Sequence, residues 1–156
     1  MNDRKSNISR AIADVVEMDL LASVEIPATP ERLFKALASK EITQWWCRAG
    51  VFDTREWTGD VRVGGRWRAS GIGRGNPYSL EGEFTTVDPP RKLVHTWKGT
   101  GASNATVAYL LEEVESGTRV TVRHSGFEVP EVCLMTAAGW ETSLDRLREI
   151  LAAEKR

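Results

Sequence analysis

The sequence predicts an α+β fold in which a curved antiparallel sheet of about six or seven strands wraps around one long C-terminal helix. Three observations carry this. In residues 130–156, Cys133, Ala137, Trp140, Leu144, Leu147 and Leu151 recur at steps of four and three, which places them on one side of a helix. From Val51 to Ser125 the apolar pattern switches to alternation, the signature of half-buried strands. The breaks between those strands are short and rich in Gly and Pro, so consecutive strands are antiparallel neighbours.

The elements follow in order. Residues 1–14 begin polar and read as a flexible or weakly helical lead-in to a single domain over residues 15–156. A first strand lies within residues 15–26, where Leu20, Ala22, Val24 and Ile26 share one parity. Thr29 is placed to cap a helix that has Pro30 in its first position and Glu31 in its first turn. Leu33, Phe34 and Leu37 give that helix its apolar face. Ser39 then starts a second short helix through Trp45 and Trp46. Strand material follows at residues 53–57, 59–63 and 65–70, then at 78–87, 92–98, 105–114 and 118–125. Trp67, Leu93, His95, Trp97, Tyr109, Val122 and His124 have inward parity. Arg66, Arg68, Lys92, Lys98, Glu112, Arg119 and Arg123 have outward parity.

Bulk composition narrows the function. A chain of 156 residues is one ordinary domain with room for a real core. Lys+Arg 21 against Asp+Glu 22 leaves no basic excess, which argues against a nucleic-acid binder driven by charge. The two cysteines, Cys47 and Cys133, lie far apart without metal-binding spacing and read as reduced thiols. The first residues lack the apolar run of a secretory signal, and no stretch approaches the roughly 20 apolar residues of a membrane span. The expectation is a cytoplasmic protein with no membrane or nucleic-acid partner, and an exposed strand edge favours a homodimer.

The order and spacing of several words resemble a known family. They are Ile26-Pro27-Ala28-Thr29-Pro30-Glu31-Arg32-Leu33-Phe34, Trp45-Trp46 and Val63-Gly64-Gly65-Arg66-Trp67, then Asp88-Pro89-Pro90-Arg91-Lys92-Leu93-Val94, Trp97, Gly117-Thr118-Arg119-Val120, His124-Ser125-Gly126-Phe127 and Gly139-Trp140. Together they resemble the helix-grip fold of the START/Bet v 1-like (SRPBCC) superfamily, in the branch named for the activator of Hsp90 ATPase homologue domain. The resemblance spans residues 18–153. It implies an internal cavity between sheet and long helix and no shared catalytic motif. It also implies either a stand-alone binder of small molecules or a chaperone-associated, stress-response module.

The candidate chemistry is sparse. Aromatic and small inward residues point to a cavity formed by Trp46, Trp67, His95, Trp97, Tyr109, His124, Cys133, Ala137 and Trp140. Core filling competes with ligand contact for Trp140, and Trp46 is the better candidate for contact. His95 and His124 are the only histidines, and either is a core side chain or a general base. Arg48 and Arg74, in expected loops, are candidate anchors for an anionic group. Gly71-Ile72-Gly73-Arg74-Gly75 is followed by Asn76-Pro77 and a strand, which makes it a hairpin loop and not a dinucleotide fingerprint. No metal site, cofactor or catalytic set is indicated. The expected function is binding of a small hydrophobic or amphipathic molecule. A chaperone-associated module and a cyclase- or hydrolase-type enzyme are the alternatives.

Overall fold

The structure, a computed structural model, describes residues 8–48, 51–99 and 102–154. The chain runs β1 (Arg10–Asp14), β2 (Asp19–Ile26), α1 (Pro30–Leu37), α2 (Ile42–Trp45), β3 (Cys47–Arg48) and β4 (Phe52–Gly59). It continues through β5 (Arg66–Gly73), β6 (Asn76–Asp88), β7 (Lys92–Gly99), β8 (Ala102–Val114) and β9 (Gly117–Ser125) to α3 (Pro130–Ala153). Among the described residues the strands form one sheet in the order β1-β2-β9-β8-β7-β6-β5-β4-β3. Every pairing is antiparallel.

This order explains the two consecutive short helices. β2 lies near one edge of the sheet and β3 forms the other, so α1 and α2 carry the chain across the full width. The seven strands from β3 to β9 then return in sequence until β9 pairs with β2. Thr29 caps α1 as its sequence position demands: its hydroxyl accepts from the Arg32 amide at 3.1 Å. Arg32 ties this corner together by donating to both Glu41 and Glu154, each at 2.7 Å.

The inward parity places Leu20, Ala22, Val24, Ile26, Leu93, Val107, Tyr109, Val120 and Val122 in the core. α3 lays Cys133, Ala137, Trp140, Leu144, Leu147 and Leu151 against them. The register explains how the layers meet. Leu20 stands opposite His124, and Val107 stands opposite the same histidine on its other side.

Two expectations need correction. The lead-in is not unstructured or helical throughout, because residues 10–14 form β1 on the edge of β2. Its alternation was weak because it is an edge strand whose outward residues include Ile12. Its start is secured by α3: the Ser9 amide donates to Asp145 at 2.9 Å, the Ser9 hydroxyl to the Glu141 carbonyl at 2.6 Å, and the Ala11 amide to the Glu141 carboxylate at 2.9 Å. Residues 1–7 lie outside the described residues. The expected strand over 59–63 is also absent. β4 ends at Gly59, and the chain turns through residues 60–65 before β5. Inclusion of β1 and the two-residue β3 raises the strand count above the expected six or seven.

Candidate functional site

Between the N-terminal half of α3 and the β4–β7 side of the sheet lies a cavity of about 470 Å³. On the sheet side it is walled by Phe52 and Thr54 of β4, Tyr78 and Leu80 of β6, and Trp97 of β7. Val132, Met135, Thr136, Gly139 and Ser143 face it from α3. Trp46, His124 and Trp140 form its buried end, each at most 5% exposed. The exposed Arg74 and Met135 lie at the other end, and an Arg74 Nη2 to Met135 Sδ contact of 3.7 Å spans the opening. The cavity therefore runs from a charged mouth to an aromatic floor.

The floor is a set of interlocked rings. The Trp46 ring centroid lies 5.2 Å from that of Trp97, 5.9 Å from Trp67 and 6.4 Å from Trp140. Edge-to-face and tilted contacts of this kind hold large side chains in one arrangement. Trp45 is packed beside this set: its indole donates to the Ala36 carbonyl at 3.0 Å, and its ring centroid lies 5.9 Å from that of Trp46 and 6.5 Å from that of Trp140.

His124 has a defined tautomer. The Trp140 indole N–H donates to His124 Nδ1 at 3.1 Å. An indole nitrogen only donates, so Nδ1 carries the lone pair and Nε2 carries the proton. That Nε2 is buried and has no partner among the described residues. Burial in an apolar shell, with a smaller contribution from nearby His95, pushes the His124 pKa down to about 3.

His95 is fixed differently. Its Nδ1 lies 2.9 Å from the Thr96 carbonyl, which can only accept, so Nδ1 carries the proton. The Trp67 indole donates to the same carbonyl at 3.1 Å. Burial lowers the His95 pKa to about 4, and the backbone bond opposes that only in part.

The Tyr109 hydroxyl is held protonated by burial, well above the usual phenol range, with a weak opposing effect from the Trp46 N–H. The two groups do not meet with hydrogen-bond geometry, and both the Trp46 Nε1 and the Tyr109 hydroxyl are unpaired. Nearer the mouth, Thr54 and Tyr78 hydrogen-bond to each other through their hydroxyls.

The residues expected around the cavity fall into two groups. Trp46, Trp97, His124, Trp140 and Arg74 lie on its wall. Trp67, His95, Tyr109, Cys133 and Ala137 do not; they form the layer packed behind it or beside it. Cys133 is directed to the β2 side, where its thiol donates to the Asp19 carbonyl at 3.4 Å. The wall of α3 is thus rotated from the expected one. Residues 132, 135, 136, 139 and 143 face the cavity together with Trp140, while Cys133, Ala137, Leu144, Leu147 and Leu151 of the apolar stripe pack away from it. The side chain of Arg48 lies outside the described part of the structure. Phe52, Tyr78 and Met135 were missed, because β4 is irregular between Thr54 and Glu56 and Met135 reads as an exposed helix position.

A second, polar cleft of about 730 Å³ adjoins the mouth. It shares Val51, Phe52 and Arg74 with the cavity and adds Asp53, Arg55, Asp145, Arg146 and Glu149. Among the described residues there is no group of three or more His, Cys, Asp or Glu side chains placed to hold a metal ion. No helix there is long and apolar enough to cross a membrane.

A long helix gripped by an antiparallel sheet, with a cavity between them, defines a helix-grip α+β protein. Within that class, the family described as activator of Hsp90 ATPase homolog 1-like protein matches residues 27–152, and the chain belongs to that family. Solved structures agree. A protein of Rhodobacter sphaeroides is 24% identical, with a TM-score of 0.76 over 93% of this chain and 98% of that one. A solution structure from Arthrobacter aurescens reaches a TM-score of 0.78 at 18% identity, over 92% and 91%. A protein of Silicibacter pomeroyi that carries the family's name is 27% identical, with a TM-score of 0.74 over 87% and 99%. A search of curated proteins gives no match.

Proposed function

We propose that this chain binds a small apolar or amphipathic molecule in the cavity between α3 and the sheet. The observation that carries the reading is a space of about 470 Å³ walled by aromatic and aliphatic side chains, with its polar groups confined to a few fixed positions. Ligand sites of roughly 300–1,000 Å³ have this character. The body of the ligand lies against Trp46, Trp97 and Trp140, and Arg74 at the mouth takes a polar or anionic outer end. Titration of the protein with apolar probes, followed by intrinsic tryptophan fluorescence and by thermal unfolding, tests this. Saturable quenching with a matching rise in Tm supports it, since a ligand that binds only the folded state stabilises by mass action. The absence of both across lipids, aromatic acids and polyketide-like compounds contradicts it.

The same geometry weighs against a histidine-dependent enzyme. The only basic nitrogen of His124 already accepts from Trp140, and His95 does not reach the cavity wall. With pKa values lowered to about 3 and about 4, neither is suited to general-base work at neutral pH.

A chaperone-docking role is the second reading. The family description favours it, as do the exposed apolar side chains Ile12, Val16 and Leu21 at the β1–β2 corner. Stimulation of Hsp90 ATPase turnover by the wild-type chain, lost on conversion of these three residues to Ser, is its test. Turnover unchanged by the wild-type chain overturns it.

A further inference from the structure

β1 is the outermost strand on its side of the sheet, yet the start of its free edge is closed. The Ser9 and Ala11 amides donate to the Asp145 and Glu141 carboxylates of α3, each at 2.9 Å. Side chains of the helix thus occupy backbone groups that an added strand would need. What β1 leaves open is its outward face, where Arg10, Ile12 and Asp14 are exposed while Ala11 and Ala13 are half-buried.

This face has a definite order along the strand: a cation at one end, an apolar centre and an anion at the other. Ile12 stands opposite Leu21 of β2, and the two are 74% and 53% exposed. Together they make an open aliphatic strip across both strands. Asp14 stands opposite Asp19. Like charges directly opposite each other disfavour a strand pair. Arg123 binds Asp19 at 3.0 Å, but the Asp14 carboxylate meets only the amides of Val16 and Glu17, both through Oδ1 at 3.0 Å. Its other oxygen is left for a cation. Arg10 makes no ion pair among the described residues, and about 13 Å of strand, with Ile12 in between, separates it from Asp14.

A pattern of this order complements itself when reversed. Let a second β1 lie face to face and antiparallel over the first, about a twofold axis above Ile12. Ile12 and Leu21 then meet their own copies, and each Arg10 meets Asp14 of the other copy. Parallel stacking would instead set Arg10 on Arg10 and Asp14 on Asp14. Self-complementarity is what a closed twofold contact requires.

We propose that the outward β1–β2 face binds a second copy of this chain in a twofold dimer, with Ile12 and Leu21 at its centre and two Arg10–Asp14 ion pairs at its ends. The sheets stack face to face and do not join edge to edge. This goes beyond ligand binding and does not depend on it. The dimer covers side chains named above for the Hsp90 reading, so a contact with Hsp90 there requires the monomer.

Sedimentation equilibrium of the purified full chain tests this. A patch of this size belongs to a weak association, and a reversible monomer–dimer equilibrium is expected between micromolar and millimolar concentrations. Ile12→Ser is expected to stay monomeric throughout. Arg10→Asp makes both ends acidic and Asp14→Arg makes both ends basic. Each alone is expected to dimerise at least about tenfold more weakly than the wild type, and their equimolar mixture to recover association as a heterodimer.

A measurement on the wild type alone makes the test independent of how the variants fold. In NMR spectra recorded on dilution, the Ile12 and Leu21 methyl resonances are expected to move, and those of the equally exposed Val63, in the turn after β4, to stay fixed. A wild type that is monomeric at every concentration overturns the proposal and leaves this face to the Hsp90 reading. A dimer in which the Ile12 and Leu21 resonances do not move, or which Ile12→Ser leaves intact, overturns it as well. So does a mixture of the two folded charge variants that associates no better than either alone.

Discussion

The Trp140 indole N–H donates to Nδ1 of His124 at 3.1 Å, which joins the middle of α3 to the end of β9 through two buried side chains. This one bond sets the tautomer of the histidine and positions both rings on the cavity wall. Trp140→Phe removes the donor, leaves a second buried ring nitrogen unpaired, and trims the packing. The expected loss is about 2–4 kcal/mol of stability in urea denaturation. The ¹⁵N spectrum of the histidines would distinguish this from simple loss of bulk. In the variant, His124 is expected to populate both neutral tautomers.

The two buried histidines make stability depend on pH. Both have folded-state pKa values below the ordinary 6.5, at about 3 and about 4. Between those values and 6.5 the unfolded chain binds protons that the folded chain does not, so stability falls as the solution is acidified. It is fully present above about pH 6.5 and drains away below it, by roughly 2 kcal/mol per histidine at pH 5. Urea midpoints measured from pH 8 to pH 5 check this. His124→Phe is expected to flatten the profile by about half of the histidine contribution.

Gly82 shows where the sheet tolerates no side chain. A Cβ there would lie 2.0 Å from the Thr96 carbonyl oxygen and 2.4 Å from Trp67 Nε1. Gly82→Ala is expected to separate Trp67 from Thr96 and cost at least about 2 kcal/mol. Gly64 is the contrast. It has open space around it and a φ of 85°, so Gly64→Ala costs only its backbone strain, about 1 kcal/mol. Denaturant unfolding of the two variants side by side tests the difference.

The start of β1 depends on the carboxylate of Glu141. Glu141→Ala removes the acceptor of the Ala11 amide while the β1–β2 pairing remains. Faster amide hydrogen exchange at Ala11 is expected, with little change in global stability.

Much of this architecture is legible in the sequence because it rests on short-range patterns. Thr29-Pro30-Glu31 announces α1 because capping is local. The parity of Val107, Tyr109 and Leu111 shows which face is buried because a strand alternates whatever its partners are. The site is less legible. The α3 residues that face the cavity include Thr136, Gly139 and Ser143, which are small or polar because the space beside them is empty. A search for apolar periodicity finds the residues that fill space, so it selected Cys133 and Ala137, which pack toward the sheet. Phe52 escaped notice because the register of β4 shifts between Thr54 and Glu56, which breaks the parity a sequence reader would follow.

The most direct test of cavity binding uses Gly139. It lies on the cavity wall, and a Cβ there would meet Phe52 Cε1 at 3.7 Å, an ordinary contact. Replacement of this mid-helix glycine favours the helix by up to about 1 kcal/mol. Gly139→Leu is therefore expected to fold while its side chain fills the space a ligand would use. In fluorescence titrations with 2-acetylnaphthalene, the wild type is expected to show saturable one-to-one quenching and folded Gly139→Leu none. Equal quenching of both proteins, or no saturable response from the wild type, would contradict binding in this cavity.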